Sequence, residues 1–189
     1  MTPYFFGFGS LVNTATHVYG NTRPARLQGW RRAWVHTPAL RLAFLSATPA
    51  DGHAIDGLLA AVPGGDWAAL DEREFAYVRV DVTAQVGHDM TPPPQISLYQ
   101  VPQADQAAGS VAHPILLSYL DVVLRGYTQV FGAAGAEAFM TSTDGWDTPI
   151  LDDRAAPQYP RHQEITPSER DFHDRLIADV GASVLAADT

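Results

Sequence analysis

The sequence predicts an α+β fold, a mainly β core that carries a few helices. Three observations predict it. Short apolar or alternating runs recur through the first half of the chain and end at Gly- or Pro-containing breaks, as strands do. Two later stretches instead space their apolar residues at the helical period. Strands and helices are not regularly interleaved, which argues against a doubly wound sheet.

The elements follow in order. Tyr4 to Phe8 is aromatic and closes on Gly-Phe-Gly-Ser, a buried strand running into a tight turn. Leu27 to His36 is a longer strand that carries Gly29, Trp30 and Trp34. Leu42 to Ala47 and Ile55 to Val62 read as two further strands, separated by the turn-like Pro49-Ala50-Asp51-Gly52. Pro63-Gly64-Gly65-Asp66 then breaks the sheet, and Asp66 can cap a short helix from Trp67 to about Phe75. Val78, Val80 and Val82 alternate with polar residues as in a half-buried strand, and Ile96 to Val101 forms another. From His113 to Tyr127 the apolar residues fall at helical spacing, with enough extra leucines to be covered on more than one side. The stretch from Thr141 to Gln163 is rich in Pro, Asp and Thr and reads as an ordered but irregular excursion. Thr166-Pro167-Ser168-Glu169 is a capping box with proline at the first helical position, opening a last helix through Val180.

Bulk properties narrow the function. The formal charge is −9, and the only basic cluster is the Arg31-Arg32 pair, so neither nucleic acid nor an anionic membrane is expected as a partner. Cysteine is absent, which excludes a thiol nucleophile and Cys-ligated zinc. The seven histidines are scattered, without a His-x-x-x-His or a carboxylate-bracketed pair, so no metal site is expected. No run is long enough to span a bilayer, and Met1 to Gly9 lacks the pattern of a signal peptide. The expected location is cytoplasmic.

Two segments could carry chemistry. In Gly7-Phe8-Gly9-Ser10-Leu11 the glycines allow a sharp turn that exposes amide N–H groups, a nest suited to a carboxylate or an oxyanion. A tight strand exit with Ser10 bonded locally fits the same residues. The dinucleotide fingerprint fails there, because residue 12 is Val and no third glycine follows, and a nucleophile elbow fails as well. In Leu70-Asp71-Glu72-Arg73-Glu74, helical phasing separates the acids. At about 100° per residue, Glu74 returns to within ~20° of Trp67 and ~40° of Leu70, whereas Glu72 lies ~140° away from Trp67 and faces water. A carboxylate on the apolar stripe is desolvated, and its pKa moves toward the range useful for proton transfer. Fraying of the helix before Glu74, or an ion pair with Arg79, is the competing reading. Arg154, Tyr159 and Arg161 could close over an anion or serve surface pairs with Asp152 and Asp153. Tyr119 lies in the apolar stripe of its helix, where core packing accounts for it.

Together these residues resemble the γ-glutamylcyclotransferase-like superfamily, and most closely its glutathione-acting branch. That family opens with a strand ending in Tyr-Gly-Ser and then Leu or Asn, and here the residues are Phe8-Gly9-Ser10-Leu11. Leu70-Asp71-Glu72-Arg73-Glu74 fits the branch's Leu-Asp-x-Arg-Glu, with Tyr77 shortly after. Pro114, Tyr119 and Gly126 look like the family's later helix, which ends at glycine. The resemblance implies a mixed β-barrel-like core with flanking helices, as a single domain over 1–189 in which 141–189 is an excursion plus the last helix. It implies a cofactor-free reaction in which a small γ-glutamyl substrate attacks its own γ-carbonyl with its α-amine and releases 5-oxoproline. Glu74 would be the acid–base residue, Phe8, Gly9, Ser10 and Leu11 the substrate cradle, and Tyr119 part of the pocket wall. Phe8 stands in place of the family's tyrosine, and Phe75-Ala76 in place of the glycines that follow the glutamate. Beyond Gly132 no motif is assignable, and leaving-group recognition can reside there. A non-catalytic binding module, or a hydrolase in which Glu74 activates water, are the alternatives. The sequence carries no signal for oligomeric state.

Overall fold

A computed structural model describes residues 2–37, 41–107, 110 and 112–187. Its main sheet holds β1 (Tyr4–Gly7), β2 (Arg23–His36), β3 (Ala43–Ala61), β4 (Val78–Asp81), β5 (Val86–Gly87) and β6 (Ile96–Gln100), in the order β4-β6-β1-β3-β2-β5. The helices are α1 (Ala68–Arg73), α2 (Leu117–Thr141) and α3 (Pro167–Asp179). The short β8 (Thr143–Asp144) joins the main sheet beside β2. A second sheet runs β10-β9-β7, from β7 (Ile115–Leu116), β9 (Ile150–Asp152) and β10 (Val184–Ala186). The main sheet is mixed, since β1 pairs antiparallel with β3 and parallel with β6. This is the expected α+β class, a curled, barrel-like mixed sheet with flanking helices.

The core forms where the elements present their apolar faces. Phe6, Trp34, Leu45, Leu58 and Ile96 from the sheet pack with Leu120, Val123, Leu124 and Tyr127 from α2, all buried. A smaller cluster holds Phe5, Leu11, Val62, Leu70 and Tyr99, and seats α1 against the other side of β1. The strand β1 therefore lies between β3 and β6 with both faces covered, which explains its unbroken apolar run.

Four expectations are corrected. The strands expected at Leu42–Ala47 and Ile55–Val62 are one strand, β3, because β2 is long enough to pair with both halves. The anticipated turn survives as a bulge: Gln28 pairs with Ala54 but Trp30 with Pro49, and Gly29 and Gly52 take positive φ there. The helix expected from His113 begins at Leu117 and continues past Gly126 to Thr141, bending at Gly132, whose φ of 72° suits glycine. The excursion from Thr141 to Gln163 is less irregular than expected, because β8 and β9 lie within it. The capping box at Thr166 forms as read, with Thr166 Oγ1 accepting from the Glu169 amide and Glu169 Oε2 accepting from the Thr166 amide.

Candidate active site

The chain leaves β1 through Gly7-Phe8-Gly9 and enters a 3-10 turn at Ser10–Val12. Bonds from Val12 N to Gly9 O (2.9 Å) and Asn13 N to Ser10 O (3.1 Å) close that turn. Among the described residues the amides of Gly9 and Leu11 have no protein acceptor, and the Ser10 amide lies by the Tyr119 hydroxyl. Gly9 is needed for space: a Cβ there would come within 2.7 Å of the Tyr119 hydroxyl and 3.2 Å of Leu45 Cδ2. Phe8 is buried, and its carbonyl is held from below by the Tyr127 hydroxyl at 3.0 Å.

Glu74 sits where α1 ends. Its amide still bonds Leu70 O at 2.8 Å, but its φ and ψ of −101° and 35° leave the helix. The helix does stop short of Glu74, yet the retained bond keeps the side chain on the Leu70 face, where phasing puts it. Its side chain is 15% exposed, while Glu72 is exposed. Arg79 does not pair with Glu74. It bonds Asp71 instead, which also accepts from the Tyr99 hydroxyl. The cation beside Glu74 is Arg73, with Nε 3.1 Å from Oε1. Burial raises the Glu74 carboxyl above its ordinary value, although Arg73 and the charge of Arg161 pull the other way.

Arg73 stitches the two segments together. Its guanidinium donates to Thr16 O (2.8 Å), Thr16 Oγ1 (3.2 Å) and Ser10 Oγ (3.3 Å), while Nε holds Glu74. The sequence shows this arginine only as a fixed position of the acidic motif, and the contacts span 57 to 63 residues.

An inner recess of about 30 Å³ is lined by the loop from Gly7 to Leu11 together with Glu74, Tyr77 and Tyr119. It shares Ser10, Leu45, Glu74, Tyr77 and Tyr119 with an outer cleft of about 250 Å³. The outer cleft adds Arg73, Phe75, Tyr159 and Arg161 among its walls. Every candidate residue, Phe8, Gly9, Ser10, Leu11, Glu74 and Tyr119, thus borders this depression or its recess. Tyr119 is half-buried and forms wall as well as core, its ring edge-on to Trp34 and to Tyr159 (5.0 Å between centroids). Burial and the neighbouring Tyr159 and Glu74 raise its hydroxyl well above the usual tyrosine range, so it stays protonated. Tyr77, another wall residue, donates to Leu45 O at 3.1 Å.

Arg154 departs from the reading given to it. It makes no surface pair with Asp152 or Asp153 but grips buried Asp121 through two bonds of 2.7 and 2.8 Å and reaches Asp174 at 2.6 Å. Tyr159 and Arg161, from the same segment, do reach the cleft. Among the described residues no three His, Cys, Asp or Glu side chains gather as a metal site, and no helix is long and apolar enough to cross a membrane.

The family model for "Gamma-glutamyl cyclotransferase, AIG2-like" proteins matches residues 5–114. No curated protein matches in sequence. Among solved structures, one of a γ-glutamyl cyclotransferase is 14% identical with a TM-score of 0.58, covering 93% of this chain and 99% of that one. An uncharacterized protein from Homo sapiens is 15% identical with a TM-score of 0.56, over 92% and 98% of the two chains. YkqA from Bacillus subtilis is 18% identical with a TM-score of 0.59, over 74% of this chain and 53% of its own. At such identities these likenesses speak for the fold, and the family rests on the sequence match, which spans more than half of the chain and contains both Phe8–Leu11 and Glu74. The chain belongs to the γ-glutamyl cyclotransferase, AIG2-like family.

Proposed function

We propose that this protein releases 5-oxoproline from a γ-glutamyl compound, with Glu74 as general acid and base. The observation that carries this reading is the position of Glu74: a mostly buried carboxylate, with its pKa raised, on the wall shared by the recess and the cleft. The γ-glutamyl head group occupies the recess side against the amides of Gly9, Ser10 and Leu11, with Phe8 behind them and Tyr119 alongside. The substrate's α-ammonium gives a proton to Glu74. The freed amine forms a bond to the γ-carbonyl carbon, and the bond from that carbon to the leaving nitrogen breaks. Glu74 returns that proton to the departing nitrogen, and the second proton that the attacking nitrogen sheds on becoming the lactam N–H follows through Glu74 to the same amine, which leaves as an ammonium. One acyl–nitrogen bond replaces another, so no electron carrier is required.

Desolvation suits Glu74 to this exchange, because a carboxylate titrating nearer to neutrality is a stronger base and its conjugate acid still donates readily. Arg73 keeps it oriented and ties it to the cradle loop. The test is 5-oxoproline release from glutathione, γ-glutamyl amino acids and γ-glutamyl amines. Glu74→Gln should lose ~10²- to 10⁴-fold of the rate, as expected for a positioned acid–base group, whereas Glu72→Gln should stay near wild type. Equal loss in both variants, or none in Glu74→Gln, contradicts the assignment. Free glutamate in place of 5-oxoproline would identify a hydrolase, and binding without turnover a binding module.

A further inference from the structure

The segment between β9 and α3 forms part of the cleft wall through Gln158 to Arg161 and is fastened at both ends. At one end Asp153, itself buried, accepts from Ser118 N (2.8 Å), Ser118 Oγ (2.6 Å) and Gln158 N (2.8 Å), and Arg154 is locked to Asp121. At the other, Gln163 Oε1 accepts from Asn13 Nδ2 (3.0 Å) and Glu164 O from Arg125 (2.9 Å). Tyr159 and Arg161 stand on the crest between these anchors. The Tyr159 ring packs on Tyr119, and Arg161 is exposed toward the cleft. Among the described residues Arg161 makes no ion pair or hydrogen bond, in a chain with 21 acidic side chains and 12 basic ones.

The wall residues divide between the two spaces. The cradle loop lines the recess, Glu74 lines both recess and cleft, and Arg161 lines the outer cleft alone. If the bond that breaks lies at Glu74, the group beyond it faces Arg161. The charge of Arg161 is felt at Glu74, but with no ion pair or hydrogen bond among the described residues a guanidinium held on an anchored segment is ready to accept a carboxylate through charge-assisted hydrogen bonds. We propose that Arg161 selects donors whose leaving group carries a carboxylate, so that γ-glutamyl amino acids and peptides are preferred over γ-glutamyl amines. This rests on the cyclisation reading above, since the order of groups along the cleft follows from placing the reacting bond at Glu74.

Two donors that differ by one carboxylate test it: γ-glutamyl-alanine and γ-glutamyl-ethylamine, each followed by 5-oxoproline release. Wild type should favour γ-glutamyl-alanine in kcat/KM. In Arg161→Gln the ratio of the two kcat/KM values should fall about tenfold or more, the size of a lost charge-assisted hydrogen bond, and Arg161→Lys should restore part of it. A ratio unchanged within about twofold, whether both rates drop or neither does, overturns the selection and leaves cyclisation standing. No 5-oxoproline from either donor overturns the cyclisation reading and the selection with it. In the Glu74→Gln background, calorimetric binding of the uncleaved donors reads the same preference without turnover, and equal affinities for the two overturn the selection directly.

Discussion

At Glu74 burial and two guanidinium groups act against each other, and burial prevails, so the carboxyl titrates above its ordinary 4.5. A general base works only when deprotonated, so kcat/KM for 5-oxoproline release should fall on the acid side through that raised value. An acid limb at or below about 4.5 would contradict the assignment. Because the charge of Arg161 holds the Glu74 pKa down, the limb should move to higher pH in Arg161→Gln. Glu74 was legible in the sequence because helical phase depends only on neighbours, and one retained bond to Leu70 preserved that phase past the end of α1. Arg161 was not decidable, because its place depends on the grip of Arg154 on Asp121, a contact 33 residues apart in the chain. Periodicity put Tyr119 on an apolar stripe and the resemblance put it on the pocket wall; it is both core and wall, and periodicity does not distinguish them.

Among the elements, α2 does the most to shape the site. The Tyr127 hydroxyl accepts from buried Arg32 at 2.6 Å and lies within bonding distance of Phe8 O and Asp56 O, at 3.0 and 2.7 Å. Burial pushes its pKa up to about 12, against the lowering effect of Arg32. Arg32, half of the short basic pair in the sequence, is 1% exposed and has hydroxyl and carbonyl acceptors in place of a carboxylate. Tyr127→Phe therefore removes an acceptor from a buried charge. It should cost about 1.5–3 kcal/mol in urea unfolding and raise KM, since the Phe8 carbonyl loses its tether. A variant within about 0.5 kcal/mol of wild type would show that the hydroxyl is dispensable. The helix itself was legible, but not its length, because Gly126 reads as a terminator while in the fold it packs against Asn13. The fused β3 was hidden for a related reason: Pro49 to Gly52 has turn composition, and only pairing with the long β2 carries the chain through it.

Over the whole molecule, one buried charge cluster binds the C-terminal helix to the body. Asp121 on α2 meets Arg154 and also His173 of α3, at 2.9 Å. Burial pushes the Asp121 carboxyl up, but its bonds to Arg154 and His173 outweigh that, and it titrates below its ordinary 3.8. A carboxyl lowered by folding adds stability above its unfolded value of about 3.9, and that contribution disappears as pH falls through the folded value. The melting temperature of wild type should therefore fall as pH drops below about 4. In Asp121→Asn it should be lower at neutral pH and flatter across that window, and parallel curves would contradict this role. The cleft itself has two origins in the chain. Phe8 to Leu11 and Glu74 fall within the stretch the family model matches, whereas Tyr119, Tyr159 and Arg161 fall outside it. If Glu74 and Arg161 act as proposed, kinship and appetite are written on separate lengths of polypeptide: the bond to be rearranged within 5–114, and diet in the part that the family likeness does not reach.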